Sequence, residues 1–195
     1  MPQHPFDPPP AIDWLSADDL RDGRPGRIGM TVLPGKRGRS VRYPGRRYRA
    51  DLDTDLRSLR AAGIGRLFLL VEDDELVRWS DPEIAARAVA HDIVVHRYPM
   101  ADGGVPASST AMDELIEEIS GARDATDVAV ACMGGVGRTG TVVACALVAS
   151  GWAPDAAIER VRELRHPTAV ETAEQEAFVR SYQCPPPRPW ATVPE

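Results

Sequence analysis

Cysteine is scarce in this chain, with three among 195 residues: Cys132, Cys145 and Cys184. So sparse and odd a set argues against a disulfide framework and fits a reducing compartment. Long hydrophobic runs are missing as well. The longest apolar stretch lies near 141–149, far short of the ~20 residues needed to cross a bilayer. The N-terminus, MPQHPFDPPPAIDW, has no basic start leading into an apolar stretch, so no signal peptide is expected. A basic surplus is also absent, since 23 Lys and Arg stand against 29 Asp and Glu, for a net charge of −6. That balance argues against a general nucleic-acid binder, although a local site can be cationic inside an acidic protein. No group of His, Cys, Asp and Glu has metal-ligand spacing, so neither a metal nor another cofactor is expected. These absences predict a soluble, cytoplasmic protein with no membrane or nucleic-acid partner.

What is present suffices for one core. Hydrophobic residues make up 43% of the chain, and the length favours one domain. Proline enriches both ends, which predicts a tail over 1–27, a folded domain over 28–183 and a second tail over 184–195. Trp14 and Trp190 are candidates for packing these tails against the body. Apolar runs at 28–33, 66–71, 93–98 and 127–132 read as strands, mostly buried. Helical patterns fall between them. Leu52, Leu56 and Leu59 share a face that stops at Gly63. Asp81-Pro82 opens a helix with Ile84, Ala88 and Val89 facing inward. Met112, Leu115, Ile116 and Ile119 give the clearest amphipathic spacing. The run 139–150 is small and apolar all round, so it reads as a fully buried helix, and further helices follow from Pro154 and over 172–182. Strands alternating with helices predict an α/β fold with a central, mostly parallel sheet flanked by helices.

The decisive segment is CMGGVGRTG, Cys132 to Gly140, between a buried strand and a buried helix. A loop there presents backbone N–H groups at the positive end of the helix dipole, which favours an anion. Glycines at 134, 135 and 137 let the backbone curl so that amides of Met133, Gly134, Gly135, Val136 and Gly137 converge on phosphate oxygens. Arg138 adds a planar cationic fork suited to two of those oxygens. The same surroundings favour a thiolate at Cys132, the form that attacks phosphorus. Thr139 is placed to donate to the sulfur and ease its departure. A buried Cys at a strand end is often only a small hydrophobe, but chance agreement of Cys, Gly, Arg, Thr and Gly at this spacing is on the order of one in ten thousand. Gly135, Gly137 and Gly140 also match G-x-G-x-x-G, but no following strand ends in the acidic residue a dinucleotide site uses. A Walker loop would need a lysine that this loop lacks.

Ester cleavage needs a proton for the leaving oxygen, from a carboxylic acid on a segment able to close over the site. MADGGVP supplies Asp102, directly after a strand, with Gly103 and Gly104 as hinges. Alone, Asp-Gly-Gly is a common turn; beside Cys132 it becomes the candidate general acid. The arginine-dense segment 36–49 reads either as a rim that attracts acidic phosphopeptides or as a solvated face. His96 and His166 read as structural or surface residues. Cys145 reads as core, with protection of Cys132 through a disulfide as the alternative.

Cys132 to Gly140 resembles the C-x5-R loop of the protein tyrosine phosphatase superfamily. The length is closer to its dual-specificity class, and the best match is the cyclin-dependent kinase inhibitor 3, or kinase-associated phosphatase, type. The resemblance spans about residues 28–182, including LPGKR at 33–37, MADGGVP at 100–106 and VETAEQEAF at 170–178. It implies a metal-free phosphocysteine mechanism, with Cys132 as nucleophile, Arg138 as phosphate ligand and Asp102 as general acid, then base. The implied substrate is a phosphoprotein or phosphopeptide carrying phosphotyrosine, with phosphoserine or phosphothreonine as an extension. Two positions depart from the pattern. Ala131 stands where the family usually carries His, and Glu171 where it commonly has a water-orienting Gln. Glu171 therefore reads either as a replacement that positions water or as a charge that repels phosphate. These departures favour the rival reading, a phosphate-binding pseudophosphatase that recognises phosphoproteins without turnover. The lipid-phosphatase branch usually carries lysines where this chain has Met133 and Val136, so a highly charged inositol head group is not expected.

Overall fold

In the computed structural model, which describes residues 6–40 and 43–183, the chain runs β1 (Asp13–Leu15), α1 (Ala17–Leu20), β2 (Ile28–Val32), β3 (Arg37–Arg39) and β4 (Arg47–Arg49). It continues through α2 (Leu52–Ala61), β5 (Ile64–Leu69), α3 (Asp73–Trp79), α4 (Ile84–Val89), β6 (Val94–Arg97) and α5 (Ser109–Ala122). It ends with β7 (Asp127–Cys132), α6 (Gly137–Ala149), α7 (Pro154–Leu164) and α8 (Ala173–Ser181). The main sheet has the order β1-β2-β7-β5-β6, with β1 antiparallel and the rest parallel. The expected α/β architecture is therefore the observed one, and every apolar run read as a strand lies in this sheet. β7 is its middle strand, and Val128 to Cys132 are all buried, as an uninterrupted apolar run between two neighbours requires. α6 is buried from Gly137 to Leu147, which explains why no polar face appears in its sequence. α2 and α4 pack beside β5 and β6, while α5, α7, α8 and α1 surround α6. Among the described residues, no helix is long and apolar enough to cross a membrane.

Three differences from the sequence reading have physical causes. The tail expected over 1–27 is part of the folded body from Asp13 onward. β1 pairs with β2 through Asp13↔Met30 and Leu15↔Ile28, and a Ser16–Asp19 capping box starts α1. Three residues in a proline-rich context are too few for an alternation signal, yet Leu15 is fully buried and the Arg27 guanidinium lies 3.8 Å over the Trp14 ring. Val89 does not face inward; its side chain is 67% exposed, because the short α4 buries only Ile84 and Ala88, four residues apart on one face. β6 is an edge strand, with Val94 exposed, rather than a buried one. The 184–195 segment, with Cys184 and Trp190, lies outside the described residues.

Candidate active site

β7 delivers Cys132 to the carboxyl end of the parallel strands, where α/β sheets characteristically place their sites. Its thiol is free and 3% exposed. The loop then turns at Gly135, whose φ of 67° and close approach to the Thr31 carbonyl leave no room for a side chain: a Cβ would sit 2.3 Å from that oxygen. The loop's outward carbonyls are tied down by cations. Lys36, the chain's only lysine, donates from Nζ to Met133 O at 3.0 Å. Arg165 donates from Nε to Gly135 O at 2.8 Å and from Nη2 to Gly134 O at 3.2 Å, and its Nη1 is held by Asp13 at 2.6 Å. With three successive carbonyls engaged in this way, the loop's peptides are fixed in orientation. Among the described residues, the amides of Gly134 to Arg138 donate to no protein acceptor.

Arg138, in the first turn of α6, is 1% exposed and held by a shell of acceptors. Glu75 of α3 grips it with both oxygens, Nη1–Oε2 at 2.6 Å and Nη2–Oε1 at 2.8 Å. Met100 O accepts from Nη1 at 2.9 Å, and Asp102 Oδ1 accepts from Nη2 at 3.1 Å. Burial opposes the guanidinium charge, but Glu75, Cys132 and Asp102 outweigh it and hold Arg138 protonated beyond its ordinary range. For Glu75, burial likewise opposes charge, and the Arg138 hydrogen bonds reverse the balance, keeping the carboxylate below its usual range. Burial also lowers the Lys36 ammonium from its ordinary value, partly offset by the neighbouring Tyr48 and Cys132 charges.

Asp102 stands across the cleft from the loop, with its side chain 83% exposed. The segment carrying it is docked on the start of α8. Thr172 Oγ1 donates to Gly103 O at 3.0 Å, and Gln175 Nε2 donates to Gly104 O at 2.9 Å. The fully buried Gln175 also accepts from Glu171 N at 2.9 Å, so one amide couples the Asp102 segment, α8 and Glu171. Glu171 reaches the phosphate loop: a Cβ on Gly137 would lie 2.5 Å from its Oε2. Thr139 Oγ1 is buried and has no hydrogen-bond partner among the described residues, so the predicted bond to Cys132 is not formed in this structure.

A cleft of about 770 Å³ is lined by Glu75, Asp102, Met133, Gly134, Val136 and Glu171; Arg138 lies buried behind it, bonded to Glu75 and Asp102, and Cys132 is buried at the end of β7 just before Met133. Cys145 is core, inside α6, with burial raising its thiol well above the ordinary value. His96 stacks on Phe68 at 4.7 Å and pairs with Glu118, a structural role, whereas His166 lines the cleft rim. Glu75, Arg165 and Gln175 carry the site but were not singled out from sequence. Glu75 sits in an acidic run that looks solvated, and only the fold reveals its partner.

Comparison with known proteins agrees with this geometry. The family model for Cyclin-dependent kinase inhibitor 3 (CDKN3) matches residues 4–158. The human protein Cyclin-dependent kinase inhibitor 3 is 26% identical over 174 residues, covering 88% of this chain and 78% of its own. A crystal structure of kinase associated phosphatase, with its catalytic cysteine replaced by serine, superposes with a TM-score of 0.77 at 27% identity, covering 88% of this chain and 92% of that one. The active form of Tk-PTP follows with a TM-score of 0.62 at 28% identity, covering 82% and 90%. With the family model spanning most of its length and phosphatases as its structural neighbours, the chain belongs to the cyclin-dependent kinase inhibitor 3 family and has the fold of the dual-specificity phosphatases.

Proposed function

We propose that the protein is a cysteine-dependent protein phosphatase that hydrolyses phosphotyrosine, and by extension phosphoserine or phosphothreonine, through a phosphocysteine. The observation that supports this reading is the Arg138 fork, whose charge interacts with Cys132 and which lies 3.1 Å from Asp102, beside loop amides that donate to no acceptor among the described residues. The phosphoryl group takes the loop amides together with Arg138 Nε and the Nη2 hydrogen that Asp102 now holds. Release from Arg138 frees the Asp102 carboxyl to turn toward the leaving oxygen. Cys132 Sγ attacks phosphorus as the P–O bond breaks, and Asp102 gives its proton to the departing oxygen. Water then attacks the phosphocysteine, Asp102 takes a proton from it, and the P–S bond breaks to return the thiolate and release inorganic phosphate. The buried Thr139 hydroxyl, without a partner among the described residues, is assigned to turn toward the sulfur and stabilise that thiolate. Glu171, at Gly137, adds negative charge beside the dianion, and we assign it to repulsion rather than to water positioning because Asp102 already supplies the base.

Turnover of an aryl phosphate, measured with and without a chelator, tests the proposal. Metal-independent hydrolysis that disappears in Cys132→Ser is expected. Binding of inorganic phosphate or vanadate without any hydrolysis would instead make the chain a phosphate-recognition module.

A further inference from the structure

One feature of the cleft is unused by this chemistry. Seven cationic residues and no acidic one fall between Lys36 and Arg49, in a chain that is acidic overall. Within this stretch β3 pairs with β4 as an antiparallel ribbon, through Arg37↔Arg49 and Arg39↔Arg47. Two contacts fix its orientation. Gly38, with φ of 101°, packs flat against Trp79, where a Cβ would come within 3.0 Å of the ring. Ser40 N donates to Arg46 O at 2.8 Å. One face of the ribbon, with Lys36, Arg39, Tyr43 and Arg46, lines the same cleft as Met133 and Asp102.

These cations are crowded. The Lys36 ammonium lies 4.1 Å and the Arg46 guanidinium 4.9 Å from the single Tyr48 ring. Among the described residues, no carboxylate pairs with Arg39 or Arg46, whereas the arginines at the phosphate loop, Arg138 and Arg165, both have carboxylate partners. The carboxylates facing the cleft are Glu75, Asp102 and Glu171. The first two are engaged with Arg138, and Glu171 sits at Gly137 on the loop side. A group of like charges held together by fixed backbone and a shared aromatic ring is completed by an anionic ligand.

We propose that this face of the ribbon, through Arg39 and Arg46 with Lys36 linking them to the phosphate loop, is a second anion subsite. It takes an acidic side chain of a phosphopeptide substrate, close in sequence to the phosphorylated residue. The inference rests on the phosphatase reading and specifies its substrate class. The spacing favours a peptide. The Lys36 ammonium touches Met133 O and also lies over the Tyr48 ring, and the Arg46 guanidinium lies over that same ring. The subsite therefore begins beside the loop at Lys36 and continues along the cleft lining to Arg46 and Arg39, a short span that an extended peptide, advancing about 3.3–3.6 Å per residue, crosses in a few residues. A compact polyphosphate would need its extra anions beside the loop, where Met133 and Val136 are neutral.

The test uses the full chain as Cys132→Ser and two fluorescent phosphotyrosine peptides that differ only in having Glu or Gln at positions flanking the phosphotyrosine. Anisotropy titration at low ionic strength should give a roughly fivefold preference for the Glu peptide, the scale of a few exposed ion pairs. That preference should fade as salt rises and should fall to about one when Arg39→Gln and Arg46→Gln are combined, with circular dichroism confirming that this variant is folded. Equal binding of the two peptides, or a preference that survives the double substitution, overturns the subsite. Stronger competition by inositol hexakisphosphate or a short single-stranded DNA than by the Glu peptide, lost in the same double variant, assigns the face to a different ligand and also overturns it. Failure of inorganic phosphate to displace either peptide refutes the phosphatase reading of the loop, while the Glu-to-Gln ratio still reports on the ribbon. Absence of binding by both peptides overturns both.

Discussion

Glu75 is the residue whose replacement most sharply separates two effects in this site. It grips Arg138 with both carboxylate oxygens, and it also places a negative charge one guanidinium away from a dianionic phosphoryl group. In Glu75→Gln the charge goes and one of the paired bonds is lost, while Met100 O and Asp102 still hold the guanidinium. Removing a charge about 7 Å from the dianion, at an effective dielectric of ~20, relieves roughly 2 kcal/mol of repulsion per unit of phosphate charge. That relief acts on bound substrate and transition state alike, so it lowers KM and leaves kcat unchanged. Losing the fixed orientation of Arg138 acts where charge develops, and loss of one oriented donor of this kind slows turnover by roughly 10²–10³. The two effects act on different constants, so kcat should fall by about 10² while KM also falls, by up to about 10³ for the two charges of the dianion. Steady-state kinetics on an aryl phosphate, alongside thermal denaturation to confirm folding, gives both numbers. An unchanged kcat with a raised KM would refute the positioning role, because it would mean that Glu75 contributes only to ground-state binding.

Two further perturbations follow from the geometry. Asp102→Ala should slow esters of poor leaving groups by roughly 10²–10⁴, the usual worth of general acid catalysis, and should spare esters whose leaving group needs no proton; equal loss for both would remove Asp102 from that role. Asp55, buried in α2 beneath the Gly35 amide that donates to it at 2.8 Å, has one oxygen without a partner among the described residues. Its carboxyl is raised by burial to about 6. Its protonated form therefore favours folding, and that contribution is present below the unfolded value near ~3.9 and lost as pH rises through about 6. Urea unfolding of wild type and Asp55→Asn across that window should show the wild type losing up to about 3 kcal/mol relative to the variant; a pH-independent difference would contradict the assignment.

The sequence is legible here where a pattern is long or chemically specific. The Cys132–Gly140 spacing located the loop, and the all-apolar run after it gave the buried α6 on which the loop's curvature rests. The supporting shell was not legible, because each of its members acts across the fold. Asp13 lies in a proline-rich stretch and meets Arg165 only because β1 joins the sheet beside β2. Glu75 sits in a short acidic helix with a single buried residue, Leu76, too weak a stripe for periodicity to detect. Gln175 closes a capping box with Thr172, and its amide also holds Gly104 and Glu171, a link that only the fold reveals. Thr139 was correctly placed at the start of the helix, yet its expected partner, the Cys132 sulfur, is not within hydrogen-bond reach in this structure.

The central claim is that a phosphoryl group passes covalently through Cys132. Rapid mixing with excess aryl phosphate, an alkaline quench that preserves the phosphorus–sulfur bond, and peptide mass spectrometry test it most directly. The account predicts one phosphoryl group on the peptide containing Cys132 during turnover, and none in Cys132→Ser. Turnover with no labelled Cys132, or with the label on another residue, would contradict it.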